Sequence, residues 1–161
     1  MTGADQGSRE PIPVERLIEA AILACTGAGQ SVQPPATAAA IEAARLALWE
    51  RFRAILPDRY ASLLARVDGI DLDGLVLYGA RQTWRAPGPG GFWQGLVEAN
   101  QLWRDAPGHG RHLVLGETDL DLLTVDLRGE YPVLRDKVSG DVVERFATLD
   151  DALRRLIQPR I

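Results

Sequence analysis

DGLVLYG (73–79), GLVEANQLW (95–103), HLVLGETDLDLLTVDL (112–127) and GEYPVLRDKVSGDVVERFATLDDAL (129–153) decide the fold. Apart from the second, each holds apolar runs of strand length bounded by Gly, Asp or Ser, residues that favour corners. Leu75, Val76, Leu77 and Tyr78 read as the first strand, and three more are expected at about 111–117, 121–127 and 131–135. Arg128-Gly129-Glu130 reads as a short hairpin loop, and Ser139-Gly140-Asp141 as a turn into a fourth short run through Val143. The second segment has a different period. Leu96, Ala99, Leu102 and Trp103 recur at three- and four-residue spacing, which predicts a helix over 95–103.

Upstream the chain is helical in pattern. Pro13 suits a first helical turn, where its missing N–H costs nothing. Val14, Leu17, Ile18, Ala21 and Ile22 then mark a short amphipathic helix to about Ala24. TGAGQSVQPPA (26–36) ends it. Thr37 is the expected N-cap of a second helix, with Ile41, Ala44, Leu48, Phe52 and Ile55 on one face. Pro57 breaks that helix near Leu56, and Asp58 is expected to cap a third, which carries Tyr60, Leu63, Leu64 and Val67 and stops at Gly69. Thr148 starts a closing helix with Leu149, Ala152, Leu153 and Leu156. The expectation is a single α+β domain over 13–161 after a loose terminus, 1–12. N-terminal helices precede a small, mainly antiparallel sheet and a C-terminal helix.

Composition narrows the function classes. A length of 161 residues fits one domain, and 46% hydrophobic residues suffice for a core. The net charge of −4 argues against nucleic acid, whose phosphates call for Lys and Arg, and is compatible with a basic protein partner. No stretch approaches the roughly 20 apolar residues of a membrane helix. The polar, acid-bearing start MTGADQGSRE does not resemble a secretory signal, and Cys25 is the only cysteine. A reducing cytoplasm is compatible with that single cysteine.

Several segments together resemble the SUKH superfamily (the Smi/Knr family), in particular its YrhA-like bacterial branch. They are Pro34-Pro35-Ala36-Thr37, then Leu56-Pro57-Asp58-Arg59-Tyr60 with the helix to Val67-Asp68-Gly69. DGLVLYG, Gly95 to Asn100 with Trp103, and Leu115-Gly116-Glu117-Thr118-Asp119 continue the likeness. Tyr131, Ser139-Gly140-Asp141-Val142 and FATLDDAL complete it. The likeness covers about residues 34–157 and rests on order and spacing, since no single element is specific. The loop 81–93 departs from it by its length and its Pro and Gly content. The resemblance implies a cytoplasmic α+β protein that binds another protein. In bacteria that means an immunity factor neutralising a toxin delivered by a neighbouring cell, often a nuclease. A regulatory or scaffold protein of the same superfamily is the alternative.

The acidic residues are the leading site candidates. Asp68, Asp71 and Asp73 lie in a stretch without bases, as do Glu117, Asp119 and Asp121. If the first strand pairs with the later ones, these carboxylates gather near one rim and meet the Arg and Lys of a basic toxin. Trp84, Phe92 and Trp93, flanking a Gly-rich loop, are the expected aromatic anchors. Each has a plainer reading: Asp favours turns, and an aromatic can fold back as a lid. Asn100 suggests a polar clamp holding a loop, and Cys25 a small core residue.

Other chemistries fit poorly. As a calcium loop, 69–80 would place Gly69 and Ala80 where carboxylate ligands are required. His109 and His112 have H-x-x-H spacing without a third ligand and read as loop residues. No serine stands in G-x-S-x-G, and APGPGG lacks the Gly-Lys-Ser/Thr of a phosphate loop. No enzyme, metal or cofactor is expected.

Overall fold

The computed structural model describes residues 10–30, 32–81 and 94–161. Three helices come first: α1 (Val14–Gly27), α2 (Ala38–Phe52) and α3 (Asp58–Leu64). The hairpin β1 (Ile70–Leu72) and β2 (Leu75–Leu77) follows, then α4 (Leu96–Arg104). The chain closes with β3 (His112–Glu117), β4 (Asp121–Asp126), β5 (Val133–Asp136), β6 (Val142–Arg145) and α5 (Leu149–Ile157). The six strands form one sheet in the order β1-β2-β3-β4-β5-β6, antiparallel throughout. The α+β class is as the sequence pattern predicts.

Local chemistry explains most boundaries. Thr37 Oγ1 accepts from Ala40 N at 3.1 Å and Thr148 Oγ1 from Asp151 N at 3.1 Å, so both threonines cap as expected. Asp58 does not cap. It is the first residue of α3, and its carboxylate pairs instead with Arg45 of α2 at 3.0 Å. α2 ends at Phe52 because Arg53 is left-handed (φ 54°), which takes Ile55 off the buried face and leaves it 48% exposed. α3 stops at Leu64, short of Gly69, and the chain is then free to enter a strand.

That strand, β1, lies where the sequence reading placed only a corner. Asp73 (φ 43°) and Gly74 (φ 77°) are both left-handed between the paired residues Leu72 and Leu75. This is the geometry of a two-residue hairpin turn whose twist matches the flanking strands. The β4–β5 connection is longer than Arg128–Glu130: β4 ends at Asp126, and Tyr131 (φ 56°) and Pro132 keep the next residues out of the ladder until Val133. Asp126 Oδ1 organises the loop by accepting from Arg128 N and Glu130 N, both at 2.9 Å.

The LPDRY corner ties the layers together. The Arg59 guanidinium pairs with Glu15 of α1 and Asp150 of α5. Tyr60, fully buried, donates its single hydroxyl proton between Tyr78 O at 2.6 Å and Leu115 O at 2.8 Å. Leu115 is also where the β3–β4 register shifts, so α3 is anchored to the strands at an irregular point of that ladder. Alternation along the strands puts Leu77, Leu123 and Leu134 in one cross-strand row, and these belong to the same buried core as α1, α2, α3 and α5.

Candidate functional site

Three strand connections meet at one end of the sheet. The β1–β2 turn touches the β3–β4 turn: a Cβ added to Gly74 would lie 3.3 Å from Asp119 Oδ2. The β3–β4 turn is tied by Thr118 N donating to Asp121 O at 2.8 Å and Asp121 N donating to Thr118 Oγ1 at 3.1 Å. The β5–β6 turn joins it through Lys137 N, which donates to Leu120 O at 3.0 Å. Two aliphatic side chains stand out of this end into solvent, Leu120 at 73% and Val138 at 89% exposure.

The predicted acids divide between this end and other duties. Asp73 and Asp119 are exposed on adjoining turns. Asp121 is half-buried opposite Asp136, and burial together with that second carboxylate pushes its pKa up. Asp136 has the reverse environment: N–H groups of Ser139 and Val138 hold its carboxyl below the usual range. Asp71 is exposed on β1, and the register Asp71↔Val76↔Glu117 places Asp71 and Glu117 on one face, two strand spacings or about 10 Å apart. By alternation Asp121 belongs to the other face, so the acids straddle the rim rather than share a surface. Two cations are interspersed. Lys137 Nζ lies 3.6 Å from Glu117 Oε2, and Arg160 Nε donates to the Asp73 carbonyl at 3.0 Å.

Asp68 does not belong to the rim. At 4% exposure it accepts from Ala80 N at 2.6 Å, with Arg81 at 3.9 Å, and so holds the chain after β2. Burial pushes its carboxyl up against the opposing pull of those two groups. Trp84, Phe92 and Trp93 lie outside the described residues.

Beside the acidic end, α4 and the β2–β3 strands border a cleft of about 310 Å3 that the sequence reading did not anticipate. Ala99 and Leu102 line it with Tyr78, Trp103, Glu98 and Glu117. Trp103 Nε1 donates to Tyr78 Oη at 3.0 Å, and Tyr78 in turn donates to Glu117 Oε2 at 3.1 Å. This chain fixes the Glu117 carboxylate at the cleft wall. Burial, with the neighbouring Glu117, pushes the Tyr78 phenol up and keeps it a donor at neutral pH.

Asn100 explains how α4 is held. Its Oδ1 accepts from Val114 N and its Nδ2 donates to Val114 O, both at 2.8 Å. β2 pairs with β3 only near Gly116 and Glu117, with Tyr78 N reaching Leu115 O. The amide of Asn100 therefore continues the ladder where β2 has ended, covering an otherwise open strand edge. It clamps a strand rather than a loop.

His109 lies in the loop before β3, as expected, whereas His112 is the first residue of that strand. His109 and His112 are 1% and 6% exposed, with ring centroids 5.6 Å apart and Trp103 5.4 Å beyond His109. His109 Nε2 is 2.8 Å from Lys137 O, while His109 Nδ1 and His112 Nε2 are buried without a hydrogen-bond partner. Burial, with Arg135, His109 and Arg104 adding to it, pushes His112 down to about 4. Cys25 is buried, and that burial raises its thiol pKa.

Among the described residues no three His, Cys, Asp or Glu side chains group so as to hold a metal ion, and no helix is long and apolar enough to cross a membrane. The chain matches no protein-family model and no curated protein.

Proposed function

We propose that this chain is an immunity protein of the SUKH kind, which binds a toxin stoichiometrically and covers its active site or substrate groove. The observation that carries the reading is the end of the sheet where Asp73, Asp119 and Asp121 lie in or beside adjoining strand connections that also expose Leu120 and Val138. An apolar centre rimmed by charge is the usual composition of a docking patch, and a surplus of carboxylates steers a basic partner into encounter. A toxin that grips a phosphate backbone presents that basic surface. The ordered resemblance over about 34–157 supplies the class of partner, and the −4 net charge agrees with its sign.

Inhibition on this reading needs no bond made or broken. The partner's substrate is excluded while the complex lasts, so protection follows residence time and expression ratio. The test is survival of bacteria that co-express this chain with the toxin encoded beside its gene. Protection that disappears on Asp73→Lys/Asp119→Lys/Asp121→Lys supports the proposal. Failure of the unaltered chain to protect overturns that pairing.

A further inference from the structure

We propose that the cleft beside α4 is a receptor for a single arginine side chain of the protein partner, an inference that rests on the partner-binding reading above. Size comes first. At about 310 Å3 the cleft lies at the lower limit of the roughly 300–1,000 Å3 typical of ligand sites, so it suits one long side chain better than a nucleotide or an extended substrate.

The polar groups then select the occupant. The two aromatic donors at the wall are already used: Trp103 Nε1–H goes to Tyr78, and the Tyr78 hydroxyl proton to Glu117. Apart from the Gln94 amide N–H2, the side-chain polar groups left to the cleft are acceptors. Gln94 Oε1 is buried with no hydrogen-bond partner, and Glu98 and Glu117 contribute carboxylates. The Tyr78 and Lys137 contacts to Glu117 both fall on Oε2. A site rich in acceptors rejects phosphates and carboxylates and favours a ligand that only donates. Guanidinium is such a group, with five N–H donors in a planar fork and no acceptor.

Charge and shape agree with this choice. Two carboxylates against the single ammonium of Lys137 leave the cleft wall net negative. Ala99, Ala106 and the 75%-exposed Leu102 offer an apolar wall for the three-carbon stem, and Tyr78 and Trp103 are aromatic neighbours of the kind on which guanidinium stacks. Lysine fits less well, because its compact ammonium cannot address acceptors spread over the approach to α4, its first turn and β3.

The probe is Nα-acetyl-arginine N-methylamide, titrated into the isotope-labelled full chain by NMR and compared with its citrulline and norleucine counterparts. Citrulline keeps the shape and removes the charge. The expected result is a saturable shift of the Trp103 indole N–H and the Gln94 side-chain amide with arginine. Citrulline, norleucine and the Glu98→Gln/Glu117→Gln chain should all weaken binding by about tenfold or more, equal to ~1.4 kcal/mol. Equal binding of citrulline, or no shift at cleft residues with arginine, overturns the proposal. The two proposals separate cleanly. Protection against the toxin without probe binding overturns the arginine site alone, whereas probe binding without protection overturns the function alone.

Discussion

Asn100 offers the sharpest physical test of how the site is built. Asn100→Ala removes both partners of Val114, whose N–H and C=O are bound at 2.8 Å and whose side chain is fully buried. Leaving a buried donor or acceptor unmade costs about 1–3 kcal/mol each, so two orphaned groups amount to about 2–6 kcal/mol. The better helix propensity of alanine returns at most ~0.7 kcal/mol. The net loss is therefore a large fraction of the 5–15 kcal/mol typical of a domain. Urea unfolding measures it, and amide exchange at Val114 localises it. Asn100→Asp gives an independent sign. Its carboxylate can still accept from Val114 N but faces the Val114 and Leu96 carbonyls where the amide donated. Ionised, it is destabilising; protonated, it can donate again. Its folded pKa is thereby raised, so its deficit relative to the natural chain shrinks as pH falls from 7 toward 4. A loss under about 1 kcal/mol for Asn100→Ala, or an Asn100→Asp deficit independent of pH, refutes the strand-mimic role.

The remaining predictions concern the buried polar groups. His112 is pushed from 6.5 down to about 4 in the fold, so between those values the unfolded chain binds more protons and stability falls as pH drops through that window. The full effect is ~3 kcal/mol, reached below pH 4, and His112→Gln should flatten that limb in a pH series of urea melts; an unchanged slope contradicts it. Tyr60→Phe strips the hydroxyl shared by Tyr78 O and Leu115 O and should cost about 1–3 kcal/mol by the same melts, with a neutral result excluding a role for that bond.

The two threonine caps and the acid-bearing corners were legible because each depends on one residue and its near neighbours. Thr37 and Thr148 bond within three residues, and Asp73 and Asp119 fall at turns by their own preference, with Asp121 opening β4. The β1–β2 hairpin is equally local: Asp73-Gly74 carries an Asp-Gly turn signal, although it sits inside a stretch whose spacing invites comparison with a calcium loop. Asp68 shows the opposite limit. Nothing in the sequence around it indicates that Ala80 N will close on its carboxylate, because that contact needs the hairpin already formed. The cleft is likewise non-local, joining the approach to α4, that helix and β3, and only the pairing of β2 with β3 brings Tyr78, Trp103 and Glu117 together. His109 and His112 become buried neighbours through the path from α4 into β3, against the expectation from their glycine-rich surroundings.

Whether the acid-bearing end of the sheet meets a basic toxin is decided by association kinetics with the toxin encoded beside this gene. Electrostatic steering predicts fast association that slows as salt is raised, and at least about tenfold slower association for Asp73→Lys/Asp119→Lys/Asp121→Lys at low salt, with the fold unchanged. An association rate indifferent to both salt and charge reversal would contradict it.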